Sequence, residues 1–224
     1  MNFAIVHRLI LKDWYLQRGP ILVSLAGSVI SVAIIALGGQ VGFYLGLIGL
    51  ITVLVGFGAN LAIATTVNER KEQTLPFIMS LPVSNREYTA AKILANLLLF
   101  LTLWATITTV SIVLLLISPE YKMGLIPYVA IMATEMLVST CLIATVALIT
   151  ESQRWTIGFI MVGNLAINGF GYFVAHIPSI ARTMFGPSLQ WNATSVGILL
   201  AEFATIGLLL ILSFVVQSRK RDFL

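Results

Sequence analysis

Residues 93–117 read ILANLLLFLTLWATITTVSIVLLLI, a run without a single charged side chain. A membrane-spanning helix needs about 20 mostly apolar residues, and this run meets that requirement. Five further runs of comparable length and composition lie near 20–38, 41–67, 125–150, 155–175 and 196–217. The sequence therefore predicts an all-α, polytopic membrane protein in which residues 1–224 form a single transmembrane domain of six helices.

The composition agrees with that class. Of the 224 residues, 58% are hydrophobic and only 10% are charged, whereas soluble domains carry about 25% charged residues. So little charge argues against a water-soluble enzyme and against a disordered chain. The net charge of +4 is spread between apolar runs and is not gathered on one face, so nucleic acid is not an expected partner.

The reactive residues are too few for the common catalytic sites. Cys141 is the only cysteine, and His7 and His176 are the only histidines. A phosphate-binding loop requires a lysine followed by Ser or Thr, and none of the lysines is followed by either. We therefore expect no ATP hydrolysis, no metal site and no cofactor on this chain.

The basic residues predict the orientation in the bilayer. With the N-terminus inside, 11 of the 13 lysines and arginines fall in inner segments, and only Lys122 and Arg182 fall outside. Inner loops are enriched in Lys and Arg. The prediction is a multi-pass protein of a bacterial inner (plasma) membrane, with both termini in the cytoplasm.

The N-terminal segment, residues 1–19, has helix-forming composition and is predicted to stop at Gly19–Pro20. Phe3, Val6, Ile10 and Trp14 are three or four residues apart and form one apolar stripe. We expect an interfacial helix that lies on the inner leaflet of the bilayer. The alternative is an ordinary basic flank that only sets the topology.

The inner loop, residues 68–92, is the most informative polar stretch. Thr74 can cap a short helix with Pro76 in its first turn, and Pro82 ends that helix. Ser84 and Glu87 have the spacing of a capping box and predict the start of the next helix. The short helix carries apolar side chains that it cannot bury by itself, so they lie on lipid or dock into a partner, and the partner is favoured. They are Leu75, Phe77, Ile78, Met79 and Leu81.

The inner loop contains a motif that reads Glu69-Arg70, Thr74-Leu75, Leu81-Pro82-Val83-Ser84, Arg86-Glu87 and Lys92. This motif resembles the loop of the type 2 ATP-binding-cassette (ABC) transporter permeases. The layout of an N-terminal interfacial helix, six spans and a longer outer segment before the last span resembles the same family. Gln73 stands where the family usually has Gly, and Pro76 stands where an acidic residue is common.

The resemblance implies that the loop contains a coupling helix, which seats in a groove of a separate ATPase subunit. Two permease chains and two cytoplasmic ATPase chains would then form the transporter, with ATP and Mg²⁺ held by the ATPase. Most members export lipids, glycans, peptides or drugs. The residues that it assigns to ATPase coupling are Glu69, Arg70, Thr74, Leu75, Phe77, Ile78, Met79, Leu81 and Pro82.

Four polar residues inside the predicted spans are candidates for the translocation path: Glu135, Asn164, Asn168 and Glu202. A charged acid at mid-bilayer costs ~2.5–3.5 kcal/mol, so both acids should face protein or water. They line a path, bind an ion or proton, or are structural acids. The asparagines are four residues apart and share a helix face, where they either join helices or line the path. A self-contained carrier or ion channel that uses Glu135 and Glu202 is the alternative function.

Two more features concern packing. Gly42, Gly46, Gly49 and Gly56 form one small-residue face of the second span, which predicts close helix packing. The outer segment 176–195 is too apolar for a free loop and too interrupted for a span. We expect it to form short re-entrant or interfacial helices.

Overall fold

The computed structural model describes residues 3–71, 84–117 and 122–219, and these residues form α-helices without any β-strand. A π-helix, Ile63–Val67, joins α2 to α3, and a 3-10 turn, Met123–Leu125, precedes α5. The α-helices in chain order are α1 Phe3–Leu37, α2 Gly39–Ala62, α3 Asn68–Lys71, α4 Asn85–Ile117, α5 Ile126–Thr150, α6 Gln153–Ala175, α7 Pro178–Met184 and α8 Ala193–Arg219.

Six of the helical segments are long and apolar enough to cross a membrane. They correspond to the six predicted spans, so the all-α, six-span fold is confirmed. Consecutive long helices run in opposite directions because short connections join them. We call the end of the bundle at which residues 72–83 connect α3 to α4 the loop end.

The first helix differs from the prediction. α1 continues through Gly19 and Pro20 as one helix of 35 residues, so the predicted stop at Gly19–Pro20 is wrong. An internal proline costs about 3 kcal/mol because it removes a hydrogen bond and crowds the preceding turn. Here the packing of α1 along α2 and against α4 outweighs that penalty.

The length of α1 also changes how its first half, residues 3–19, is interpreted. A helix of 35 residues is about 52 Å long, whereas the hydrocarbon core of a bilayer is about 30 Å thick. Residues 3–19 therefore form an N-terminal extension of the first span at the loop end, in one continuous helix, and their place at the membrane interface stays a prediction. Of their predicted apolar stripe only Val6 is buried, Ile10 is intermediate, and Phe3 and Trp14 are 76% and 43% exposed.

The side of this extension that faces the bundle is polar. Asp13 and Gln17 are buried and follow Val6 at spacings of seven and eleven residues, which places all three on one helix face. The Asn60 side-chain amide on α2 donates a hydrogen bond of 3.0 Å to Gln17 Oε1. The extension is therefore attached to α2 by a polar contact. The predicted stripe contained only apolar residues and did not indicate such a contact.

The core of the bundle lies between α2, α4, α5 and α8, where Phe57, Phe100 and Leu137 are buried together. Gly42, Gly46 and Gly49 of the predicted glycine face pack closely against α1, whereas a Cβ atom on Gly56 would meet nothing within 4 Å. A Cβ atom on Gly46 or Gly49 would clash with atoms of Ile35 or Ser31, so these positions admit no larger residue without movement.

At the opposite end, α7 confirms that the outer segment contains a short helix. Ile180 of α7 is buried with Ile131 of α5 and Val174 of α6. The backbone N–H of Gly124 donates to Gly186 O at 3.2 Å, which joins this segment to the start of α5.

Candidate functional site

The structure bears on only part of the predicted coupling motif. Thr74, Leu75, Phe77, Ile78, Met79, Leu81 and Pro82 lie outside the described residues. Glu69 and Arg70 belong to α3, and the Glu69 side chain is buried. The candidate site is therefore built from the residues at the two ends of the loop.

A buried cluster of charged groups lies at these two ends. Lys92 Nζ on α4 is 2.8 Å from Asp13 Oδ2 on α1 and 2.8 Å from Glu69 Oε1 on α3, and Lys92 is only 1% exposed. Lys12 pairs with the same two acids, and Tyr88 OH donates to Glu69 Oε2 at 2.9 Å. We call Lys12, Asp13, Glu69, Tyr88 and Lys92 the loop-root cluster.

The loop-root cluster balances two ammonium groups against two carboxylates. Buried charges are tolerated only when they are paired and hydrogen-bonded, and each acid here contacts both lysines. Burial alone would raise the pKa of Glu69, but the ammonium groups of Lys92 and Lys12 outweigh it and hold this pKa below its ordinary value. The cluster therefore requires an ionised Glu69.

The cluster joins three elements. Lys12 and Asp13 come from the extension of α1, Glu69 comes from α3 before the loop, and Tyr88 and Lys92 come from α4 after it. Both ends of the loop are thus fixed to each other and to α1.

The predicted capping box at the end of the loop is confirmed. Ser84 N–H donates to Glu87 Oε2 at 2.9 Å, and Glu87 N–H donates to Ser84 Oγ at 3.4 Å. These reciprocal bonds satisfy donors at the first turn of α4. They set the residue at which the chain leaves the loop and becomes helix.

The low pKa of Glu69 predicts how stability depends on pH. Because the folded-state pKa is depressed, the stabilisation by Glu69 is complete above about pH 4.5 and is lost as the pH falls through the folded-state value. Glu69→Gln should lower the melting temperature of the detergent-solubilised protein at pH 7, and the difference from wild type should shrink at pH 4. An equal difference at both pH values would contradict the ionised state of Glu69.

The π-helix is the second special feature near the loop. Thr65 Oγ1 on this π-helix lies 2.7 Å from Leu61 O and 2.7 Å from Asn96 Oδ1 of α4. A cavity of about 30 Å³ lies alongside, and Asn96, Thr145 and Ser213 contribute to its lining. π-Helical turns occur mostly as local insertions within α-helices and often at functional sites. This one lies one turn before the loop-root cluster.

The two membrane acids are brought together by the packing of α5 against α8. Glu202 is 6% exposed, and neither of its carboxylate oxygens has a hydrogen-bond partner among the described residues. Glu135 is half-buried and close enough to Glu202 for the two side chains to interact electrostatically. Their role in a translocation path stays a prediction.

The two asparagines lie on one face of α6, as their spacing predicts. Asn164 Nδ2 donates to Ile160 O at 3.1 Å and Asn168 Nδ2 donates to Asn164 O at 2.8 Å, so both bonds stay within α6. Asn168 is exposed beside Leu165, which is 76% exposed. In the described part of one chain, this pair therefore forms no bond to another helix.

Glu69 and Lys92 belong to the predicted motif, whereas Lys12, Asp13 and Tyr88 were not predicted as part of the site. The signal for Asp13 was its spacing of seven residues from Val6, which places both residues on one helix face. No group of three or more potential metal-ligating side chains occurs within residues 3–71, 84–117 and 122–219.

Residues 8–220 match the family model described as ABC-2 family transporter protein. No curated protein and no solved structure matches the chain. The match covers nearly the whole chain and agrees with the six long apolar helices. The chain therefore belongs to the ABC-2 transporter family and is a multi-pass permease subunit of an ABC transporter, whose family partners are ABC ATPase subunits.

Proposed function

We propose that this permease subunit couples ATP hydrolysis on a separate cytoplasmic ATPase to export across the membrane, through the loop between α3 and α4. The observation that carries the proposal is the loop-root cluster. A loop that receives force from a partner must be fixed at both ends. Lys92 fixes this loop through its ion pairs with Asp13 and Glu69. The apolar residues of the loop supply the surface that the partner would cover.

The proposed transporter has two permease chains and two ATPase chains, and ATP and Mg²⁺ are bound by the ATPase. The loop end faces the cytoplasm because it carries most of the basic residues. Both termini are then cytoplasmic, in the inner or plasma membrane of a bacterium. The substrate is an amphiphile, and a lipid, a hydrophobic peptide or a drug would suit the mostly aliphatic spans.

The path for this substrate is proposed to lie between two identical chains. The cavities next to Asn96 and next to Met132 measure about 30 and 100 Å³, too small for a drug-sized ligand. The exposed face of α6 carries Asn168 between Leu165 and Tyr172. A polar amide among lipid-facing side chains gains a partner when a second copy covers it.

The dimer predicts an effect of Asn168→Leu. Losing an interhelical hydrogen bond costs about 1 kcal/mol, which weakens association about fivefold. Concentration-dependent energy transfer between labelled chains in vesicles measures the dissociation constant. Thr205→Leu is the matched control because Thr205 is an exposed polar residue on α8 that bonds within its own helix. Equal dimerisation of both variants and wild type would exclude α6 as the interface.

The coupling function is tested by reconstitution. The permease is co-reconstituted with its ATPase in vesicles, and ATP hydrolysis is compared with that of the ATPase alone. Coupling predicts that the permease changes the rate and that Lys92→Met weakens the change. Identical rates with and without the permease would contradict the proposal.

A self-contained carrier is the second candidate because Glu202 is buried without a hydrogen-bond partner among the described residues. Such a carrier would move its substrate without any ATPase, and Glu135→Gln or Glu202→Gln would stop it. If the protein is instead an ABC permease, transport requires the ATPase and ATP, whichever residues occupy positions 135 and 202. Transport by the purified permease alone would therefore decide for the carrier.

A further inference from the structure

Glu151 adopts an unusual backbone conformation. It has φ 53° and ψ 22°, and it is the only residue other than glycine with positive φ in the described part of the chain. It ends α5 in the left-handed conformation, a position where helices usually place glycine because other side chains are strained there. A glutamate that is kept in such a position points to a role for its side chain.

That side chain joins the turn between α5 and α6 to the end of α8. Gln217 Nε2 donates a hydrogen bond of 2.8 Å to Glu151 Oε1, and Gln217 is buried although it lies close to the C-terminal end of the helix. The two residues are 66 positions apart in sequence. The bond therefore fixes the loop end of α8 to the α5–α6 turn.

The end of α5 also lies near the root of the coupling loop. The Glu151 carboxylate is close enough to Tyr88 to act on it electrostatically, and Tyr88 donates to Glu69. An apolar contact runs in parallel, because Val67 of the π-helix packs with Ile143 and Ala147 of α5. A displacement of α3 and the π-helix thus reaches α5 through this apolar packing.

We propose that Glu151 is a positioning residue that transmits movement of the coupling loop to the C-terminal end of α8 through its hydrogen bond to Gln217. This inference rests on the proposed function, since the movement originates in the ATPase. Its chain of contacts runs from Val67 to Ile143 and Ala147 of α5, and then from Glu151 to Gln217. The strained backbone holds the Glu151 carboxylate between the loop root and α8, where a glycine would leave no group to carry the displacement.

The test is hydrogen exchange on the permease–ATPase complex, measured by mass spectrometry with ADP and with a non-hydrolysable ATP analogue. In wild type, the analogue should change the protection of residues 84–92 and of residues 211–219. Glu151→Asn tolerates the left-handed conformation but is too short to reach Gln217. We expect it to keep the response of residues 84–92 and to reduce that of residues 211–219 at least fivefold.

Two further variants keep the test decisive. Glu151→Gln retains the length and the acceptor oxygen and should restore the response of α8, which a role in backbone strain alone would not predict. Gln217→Met removes the same hydrogen bond by changing the residue on α8. This variant takes the place of Glu151→Asn in the test if Glu151→Asn does not fold. A full α8 response in either disrupting variant, or none in wild type while residues 84–92 respond, overturns the inference. Absence of any response at residues 84–92 in wild type counts instead against the coupling function.

Discussion

Phe77→Glu combined with Leu81→Glu is expected to abolish association with the ATPase while leaving membrane insertion intact. Both residues belong to the apolar set of the loop, and a carboxylate cannot enter an apolar groove without a large desolvation cost. Binding hot spots are buried apolar anchors of this kind, so we expect more than a hundredfold loss of affinity. Co-purification of tagged permease with the ATPase from detergent measures it.

The matched control places the same charge elsewhere in the same loop. Gln73→Glu with Ser80→Glu also adds two carboxylates but removes no apolar side chain. We expect this control to retain most of its ATPase. If it lost the ATPase as completely as the first variant, net charge would be responsible, and the apolar docking surface would be wrong.

Lys92→Met is expected to destabilise the protein by about 3 kcal/mol. The substitution keeps the length of the side chain but leaves Asp13 and Glu69 buried with Lys12 as their remaining cationic partner. Removing one partner of a buried ion pair typically costs about 3–5 kcal/mol, and the contacts with Lys12 place the effect at the lower end. Denaturant unfolding in detergent micelles measures the free energy of unfolding.

A double substitution tests the origin of this effect. Asp13→Asn added to Lys92→Met removes one of the two unbalanced carboxylates, so the double variant should be more stable than Lys92→Met alone. Such non-additivity is the sign of direct interaction between neighbouring groups. Strictly additive effects would mean that Lys92 contributes through packing and not through its charge.

The spans were predictable because membrane insertion depends on hydropathy summed over about 20 residues, a property that sequence contains directly. The end of the first helix was not predictable from the sequence, because it depends on tertiary packing. Gly19–Pro20 is a strong local signal for a stop, yet the contacts of α1 with α2 and α4 continue across it. Local propensity was overridden by packing that only the folded bundle reveals.

Part of the candidate site follows from local sequence patterns, and part depends on long-range packing. The capping box of Ser84 and Glu87 is a local pattern, and it was predicted correctly. The cluster around Lys92 depends on residues as far as 79 positions apart, and no local pattern pairs Lys92 with Asp13. Helical spacing places Asp13 on the face of Val6, and the packing of α1 against α2 and α4 buries that face.

The polar residues of the spans were identified by type but not by contact. The proximity of Glu135 and Glu202 comes from the packing of α5 on α8. The hydrogen bonds of Asn164 and Asn168 to carbonyls of their own helix are equally available to any asparagine in a helix. Sequence could not decide between these arrangements because each depends on the neighbouring helix.

The most direct test of the account is to identify the partners of the intact protein. The tagged permease is extracted from its native host in mild detergent, and its stoichiometric partners are identified by mass spectrometry. We predict one soluble ABC ATPase subunit per permease chain, and its loss when Phe77 and Leu81 are replaced by Glu. A stable permease that transports without any ATPase would contradict coupling through the loop.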